Sequence, residues 1–321
     1  SVAGAHTVTA TANGSSATVS TTFVADVGNA DQAASSIIVD KANYAVGSDM
    51  VVTVMLKDAS NNVVTGALSQ LTDTSVTVAN ATLKSAWTDN NDGTYTATYK
   101  TVTDGLNNKA GLKLSGWGNA VESAPYAIRT LKGVTANAYT FNISDNFPKT
   151  GFANAVFTVN ATGNASDYTW SSSNDTAVSV DSTGKVMLNN ATSSPVTITA
   201  TMEGGDVLTY TFTLTTWYTN NKLQTLDFSA ADLYCKASSA SLPTRSQLTS
   251  GVGVRGVGTS LIGEWGRISS YANAYFNGDK YWTSDAYGTS GDEYYLVDGS
   301  GNTNYYSFDT VQHYVACRKS L

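Results

Sequence analysis

Side chains able to do acid–base or nucleophilic chemistry are scarce in this sequence. His6 and His313 are its two histidines, so a Ser-His-Asp arrangement would have to use His313. That residue lies just ahead of Cys317 in a stretch that reads as a closing strand, where a structural role is the simpler reading. Cys235 and Cys317 both fall in the last third of the chain. They are either a pair closing a long loop or two separate buried thiols. A pair would leave no thiolate nucleophile, would need an oxidising compartment, and would be worth about 4.5 kcal/mol through the unfolded chain. Asp292 and Glu293 could in principle act as a glycosidase pair, but adjacent strand residues point to opposite faces. Asp89-Asn90-Asn91-Asp92-Gly93 has carboxylates at calcium-loop-like spacing without helical flanks or a closing glutamate, and reads as a tight turn. No phosphate loop, dinucleotide fingerprint or metal-ligand cluster is present. The expectation is a non-enzymatic chain that uses no cofactor and no metal.

The elements that could position a binding surface are β-strands. The chain has 321 residues, of which 41% are hydrophobic and only 13% charged. Recurrent Thr, Ser, Asn, Ala, Val and Gly suit short strands joined by polar turns. That length normally splits into several cores. A net charge of -7 and a pI near 4.7 oppose binding to nucleic acid or anionic lipid, because no basic stripe exists to release counterions. No apolar run is long enough to span a bilayer, so no direct membrane insertion is expected. Ser1-Val2-Ala3-Gly4 has neither the charged nor the apolar region of a signal peptide, so the chain is either cytosolic or cut from a larger exported protein.

Along the chain, Gly4 to Val19 reads as two strands around Ala12-Asn13-Gly14-Ser15, with Val8, Ala10, Ala17 and Val19 as candidates for an inward face. The pattern of Gly4 to Ala10 returns at Gly93 to Tyr99, a period of about 90 residues that suits an immunoglobulin-type sandwich. The opening residues 1–30 then read as the last strands of a truncated repeat. Strands are expected at Ser36 to Val39, Met50 to Leu56, Ser75 to Val78, Gly93 to Tyr99 and Ala110 to Leu114, making a domain over 31–128. A further domain over 129–217 has strands at Asn137 to Ile143, Ala155 to Val159, Val178 to Val180, Lys185 to Leu188, Val196 to Thr201 and Val207 to Leu214. Its Tyr168-Thr169-Trp170-Ser171-Ser172-Ser173-Asn174, followed by Ala177-Val178-Ser179-Val180 and Gly184-Lys185-Val186, resembles the bacterial Ig-like group 2 repeat. Trp170 is then expected as the core aromatic. The preceding domain is read as a group 1 repeat.

After Trp217-Tyr218 the composition turns to Tyr, Trp, Gly and Arg, which sets a boundary and a last domain over 218–321. Phe228 to Lys236 suits a short helix with Ser229 as N-cap, and Pro243 leads into a second one. Strands follow at Tyr281 to Asp285, Glu293 to Val297 and His313 to Arg318.

A helix cysteine, Leu242-Pro243-Thr244 with Gln247-Leu248, Tyr281-Trp282-Thr283-Ser284-Asp285 and Tyr314-Val315-Ala316-Cys317-Arg318 together resemble the C-type-lectin-like fold. In that fold a disulfide ties the first helix to the last strand, which implies a Cys235–Cys317 pair. The whole order, Ig-like repeats and then a lectin-like cap, resembles the invasin/intimin family of bacterial outer-membrane adhesins. The fold class implied is mostly β: tandem immunoglobulin-like β-sandwiches followed by a C-terminal α+β C-type-lectin-like domain. The resemblance further implies a rod that holds its tip away from the cell, anchored by an N-terminal outer-membrane β-barrel that would precede Ser1. It implies a host cell-surface or serum protein as partner, either an integrin-like receptor or, as in an invasin D-like paralogue, an antibody Fab.

The calcium-dependent lectin tripeptides are absent, which weighs against sugar binding of that type. Protein recognition is the better reading, with a capped structural stalk and a carbohydrate-binding module as alternatives. Trp265, Tyr271, Tyr275, Phe276, Tyr287, Asp292, Asn302, Asn304, Tyr305 and Tyr306 are the receptor-contact candidates. Tyrosine gives large contact area at small entropic cost, and Ser, Gly and Asn give adaptable hydrogen bonds. Tyr281, Trp282, Tyr294 and Tyr314, in or beside expected strands, are read instead as core.

Overall fold

A computed structural model describes residues 4–23, 29–258 and 260–321. The chain divides into two compact units, one of Ser1–Thr130 with Gly204–Asp206, the other of Leu131–Glu203 with Val207–Leu321. The first begins with the antiparallel hairpin Gly4–Ala12 and Ser15–Phe23, joined through Ala12↔Ser15. Asn13 and Gly14 both have positive φ, 49° and 81°, the left-handed pair that a two-residue hairpin turn requires. The expected inward face is not found. Val8 and Val19 are 61% and 66% exposed, and Ala10 and Ala17 are exposed too, because a two-stranded ribbon has no second layer to cover either side.

The rest of this unit is a β-sandwich. One sheet orders Ser36–Val39, Asp49–Met55, Thr94–Thr101 and Ala81–Leu83, with Thr88–Asp89 also on Thr94–Thr101. Smaller sheets join Gly105–Asn108, Tyr126–Arg129 and Asn43–Ala45, and Val121–Glu122, Ala110–Leu112 and Val76–Val78. Met50, Val52 and Val54 alternate inward and are fully buried, the period of a half-buried strand. The Asp89–Gly93 segment is a pair of side-chain-capped turns. Asp89 accepts the Asn91 N–H and Asp92 accepts the Thr94 N–H, so both carboxylates serve the backbone.

The second unit opens with another sandwich. Tyr139–Phe141, Leu131–Ala136, Ala155–Ala161, Lys185–Leu188 and Val178–Val180 form one sheet, and Tyr168–Ser172, Val196–Met202 and Val207–Phe212 form the other. The strand expected over Asn137 to Ile143 is shorter, because Asn137 and Ala138 take positive φ, 48° and 62°, and make the turn that pairs Ala136 with Tyr139. Trp170 is only half-buried. It lies over Gly184, where a Cβ would come within 2.9 Å of the indole, while Tyr168 on the same strand is buried.

The lectin-like part is built on a six-stranded sheet, in the order Thr150–Phe152, Thr216–Leu226, His313–Ser320, Lys280–Ala286, Glu293–Asp298 and Tyr305–Phe308. Its first member comes from the preceding sandwich and pairs in parallel with Thr216 to Tyr218. Helix Phe228–Ala237 is capped by Asp227, whose carboxylate accepts the Ala230 N–H at 2.8 Å. Ser229, the expected cap, lies inside the first turn. Ala231 and Cys235 face inward, and Cys235 is bonded to Cys317 across 82 residues. Trp282 is fully buried, with its indole N–H donating to the Leu226 carbonyl at 2.8 Å.

His313 lies edge-on to Trp282 at 4.8 Å, and its buried Nε2 has no hydrogen-bond partner among the described residues. Burial lowers its pKa and the Lys280 charge adds to the effect, against a pull from Asp279. A depressed folded-state pKa contributes stability that is present above the ordinary value near 6.5 and is lost as pH falls toward the folded value. Chemical unfolding between about pH 7.5 and about pH 5.5 should therefore show stability falling with acidity, and His313→Phe should flatten that slope. An unchanged slope would show that His313 does not carry it.

Candidate functional site

The sequence candidates separate into a buried seam and an exposed face, both within the second unit. The seam is where the sandwich meets the lectin-like sheet. Helix Leu261–Trp265 is short and apolar and is capped by Ser260, whose hydroxyl accepts the Gly263 N–H. It carries one charged residue, Glu264, which has no solvent exposure. That carboxylate accepts the backbone N–H of Lys149 at 2.9 Å, of Thr150 at 2.6 Å and of Gly258 at 2.6 Å, together with the Thr150 hydroxyl. Burial pushes its pKa up, while the Thr150, Gly258 and Lys149 donors pull the other way. A buried carboxylate is tolerated only when its lone pairs are filled in this manner.

Trp265 is fully buried beside it, with its indole N–H 3.1 Å from both the carbonyl and the hydroxyl of Thr150. Its ring packs at 4.9 Å from Phe147 and 5.3 Å from Phe152. Tyr271 and Phe276, each 6% exposed, meet Phe152 edge-on at 5.3 and 5.1 Å. These three candidates are therefore joints between two modules and cannot present a contact surface. Arg255 closes the seam from outside, bonding the carbonyls of Ala136 at 3.1 Å and Glu264 at 2.8 Å with its guanidinium over Tyr139. Buried side chains of the sandwich and of one side of the lectin-like sheet form a continuous core, while Ala231, Cys235, Trp282, Val315 and Cys317 belong to a separate one under the helix.

Tyr275 stands apart from its neighbours. It is 50% exposed, has a φ of 58°, and borders a small cleft with Asn154, Asn220 and Lys222. The remaining candidates lie toward the opposite edge of the large sheet. Tyr287 stacks flat on Tyr306 at 3.8 Å and meets Tyr295 edge-on at 5.1 Å. The Arg245 guanidinium covers Tyr295 at 3.5 Å, and Asp285 accepts the Arg245 backbone N–H at 2.8 Å while pairing with its Nε at 3.4 Å. The neighbouring Tyr306 phenol raises the pKa of Tyr287. Lys280 sits over the Tyr305 ring at 4.6 Å. Asn302 holds its own loop, donating to the Tyr305 hydroxyl at 3.1 Å and accepting the Asn304 N–H. Asn304 and Asp292 are exposed.

Sequence reasoning missed Arg245, Asp285, Tyr295 and Phe308 on this face, and Glu264 in the seam. Glu264 had a readable signal, a lone charge within Leu261-Ile262-Gly263-Glu264-Trp265. The face residues had none, since their meeting depends on sheet order.

Removing the Glu264 carboxylate leaves four donors without their acceptor, two of them on buried Thr150. Glu264→Ala should lower the unfolding free energy by roughly 3 kcal/mol or more, and Glu264→Gln by less, since its amide oxygen still accepts although its NH2 confronts donors. Denaturant unfolding followed by tryptophan fluorescence measures this, and a loss below about 0.5 kcal/mol for the alanine variant would contradict the arrangement.

Residues 132–212 match the family model for invasin, domain 4. The inverse autotransporter adhesin YeeJ of Escherichia coli (strain K12) is 33% identical over 183 residues, 54% of this chain and 8% of that protein. Invasin of Yersinia enterocolitica is 29% identical over 164 residues, 49% of this chain and 20% of that protein. The chain thus spans only a small part of these relatives. The crystal structure of invasin, titled a bacterial integrin-binding protein, superimposes with a TM-score of 0.53 at 19% identity, covering 100% of this chain and 86% of that one. That likeness establishes the fold, tandem Ig-like sandwiches with a C-type-lectin-like end. These relatives are adhesins of the invasin/intimin type. In its matched domain, its relatives and its fold, the chain is similar to adhesins of the invasin/intimin type.

Proposed function

We propose that this chain is part of a bacterial surface adhesin in which sandwich domains carry a lectin-like tip that binds a host protein. Its domains would be 1–30, 31–128, 129–217 and 218–321, and an N-terminal β-barrel of the same protein would anchor it in the outer membrane. The observation that carries the reading is the face of Tyr287, Tyr295 and Tyr306, stacked and braced by Arg245. Stacked aromatics have little rotamer freedom left to lose on binding, so they make good contact anchors. Tyr305, Asn302, Asn304 and Asp292 would form the polar surround of that patch, with Tyr275 as an outlying contact. The partner is a host cell-surface or serum protein, of integrin type as for invasin, or an antibody Fab.

Cutting the tip away is a poor test, because it would strip the strand Thr150–Phe152 of its neighbour. Point variants leave the seam intact. Tyr287→Ala combined with Tyr306→Ala should weaken adherence of the purified chain to host epithelial cells by at least about ten-fold with an unchanged melting temperature. Retained adherence in that double variant would rule out this face as the contact site.

A further inference from the structure

The large sheet ends at the strand Tyr305–Phe308, whose sole neighbour among the described residues is Glu293–Asp298. Which of its backbone groups are satisfied follows from the ladder. The register pairs Glu293 with Phe308, Tyr294 with Ser307, Tyr295 with Tyr306 and Leu296 with Tyr305. The Asp309 N–H donates to the Asp292 carbonyl at 2.8 Å, so that pair is hydrogen-bonded and the pattern alternates from it. Ser307 and Tyr305 then turn their amides inward, and Tyr306 and Phe308 turn theirs outward. The other side of the neighbouring strand agrees. The carbonyls of Glu293 and Tyr295 accept from Tyr287 and Thr283, away from the edge strand. The Phe308 carbonyl is occupied by the Val311 N–H. The N–H and C=O of Tyr306 and the N–H of Phe308 remain as an open edge.

Natural edges are usually guarded by lysine, proline or a bulge, and Tyr305-Tyr306-Ser307-Phe308 has none of these. Tyr306 and Phe308 project on one face, 51% and 55% exposed, and stacking on Tyr287 holds the first in place. Asp292, Glu293 and Asp309 cluster at the Phe308 end without an ion-pair partner among the described residues.

We infer that this edge takes an extended segment of a protein partner, added as a further strand, with apolar side chains over Tyr306 and Phe308 and a lysine or arginine beside Asp292, Glu293 and Asp309. Main-chain bonds would supply affinity, and the aromatic and acidic groups would supply selectivity. The inference rests on the proposed receptor role and names how the partner is held.

Proline and valine at one position separate backbone from side chain. The Tyr306 N–H points outward, so proline there removes an edge donor and no ladder bond. The probe is acetyl-Lys-Thr-Val-Thr-Val-Lys-amide, titrated into the chain by NMR, beside a form N-methylated at both valines and a form with glutamate for lysine. Saturable binding of the lysine peptide is expected, with loss on N-methylation and at least about ten-fold weakening on charge reversal. Tyr306→Pro should bind at least about ten-fold more weakly than Tyr306→Val. Phe308→Pro against Phe308→Val repeats the comparison if the first proline variant unfolds.

Equal binding by proline and valine variants, undiminished binding of the N-methylated peptide, or no binding of the lysine peptide at millimolar concentration would overturn the inference. So would a dimer of the chain that Tyr306→Pro abolishes, since the occupant would then be a second copy. If Tyr287→Ala with Tyr306→Ala removes cell adherence while proline and valine behave alike, the receptor face stands and strand addition falls. If adherence survives that double variant, the receptor reading itself fails.

Discussion

A carboxylate withdrawn from water holds the second unit together. Glu264 is buried at the point where helix Leu261–Trp265 meets the strand Thr150–Phe152, and its charge is affordable only because Lys149, Thr150 and Gly258 donate to it. Those donors come from both sides of the seam. If the sandwich moved away, the carboxylate would lose Lys149 and Thr150 and keep its desolvation cost. The same contact positions Thr150 to receive the Trp265 indole and sets the strand to pair with Thr216 to Tyr218. Polar and apolar contributions therefore coincide at one place, and each depends on the other.

The large sheet connects that seam to the exposed face. Its order runs from the sandwich's own strand at one edge to Tyr305–Phe308 at the other. Its middle is joined through Tyr281↔Tyr314, and the tyrosines at the far edge are held by stacking on one another and by Arg245. The Cys235–Cys317 bond adds a second tie between the helix and the strand His313–Ser320. A recognition surface on such a support keeps its side chains arranged before the partner arrives, which is where affinity is gained at an interface of modest area.

Much of the strand pattern was legible in sequence, because alternation along Met50 to Met55 or Val196 to Met202 reports which face is buried. The helix, its cysteine and the closing strand were legible for the same local reasons. Elements whose partners are distant were not. Thr150–Phe152 is three residues long and pairs in parallel with a strand far along the chain, and nothing local announces that. The receptor candidates show the same limit. Composition marks Trp265, Tyr271 and Phe276 as equal to Tyr287 and Tyr306, yet burial assigns the first group to the seam and leaves the second partly open to solvent. Arg245 and Tyr295 are fifty residues apart and become neighbours only through the sheet. The cap is Asp227 and not Ser229, an equally good cap by residue type, because a shift of two residues cannot be told from propensity.

If the Glu264 seam couples them, the sandwich and the lectin-like sheet unfold as a single cooperative body. Differential scanning calorimetry of residues 131–321 tests this most directly. One transition is expected, with calorimetric and van't Hoff enthalpies in agreement. Two resolved transitions, with the lectin-like part melting independently of the sandwich, would contradict it.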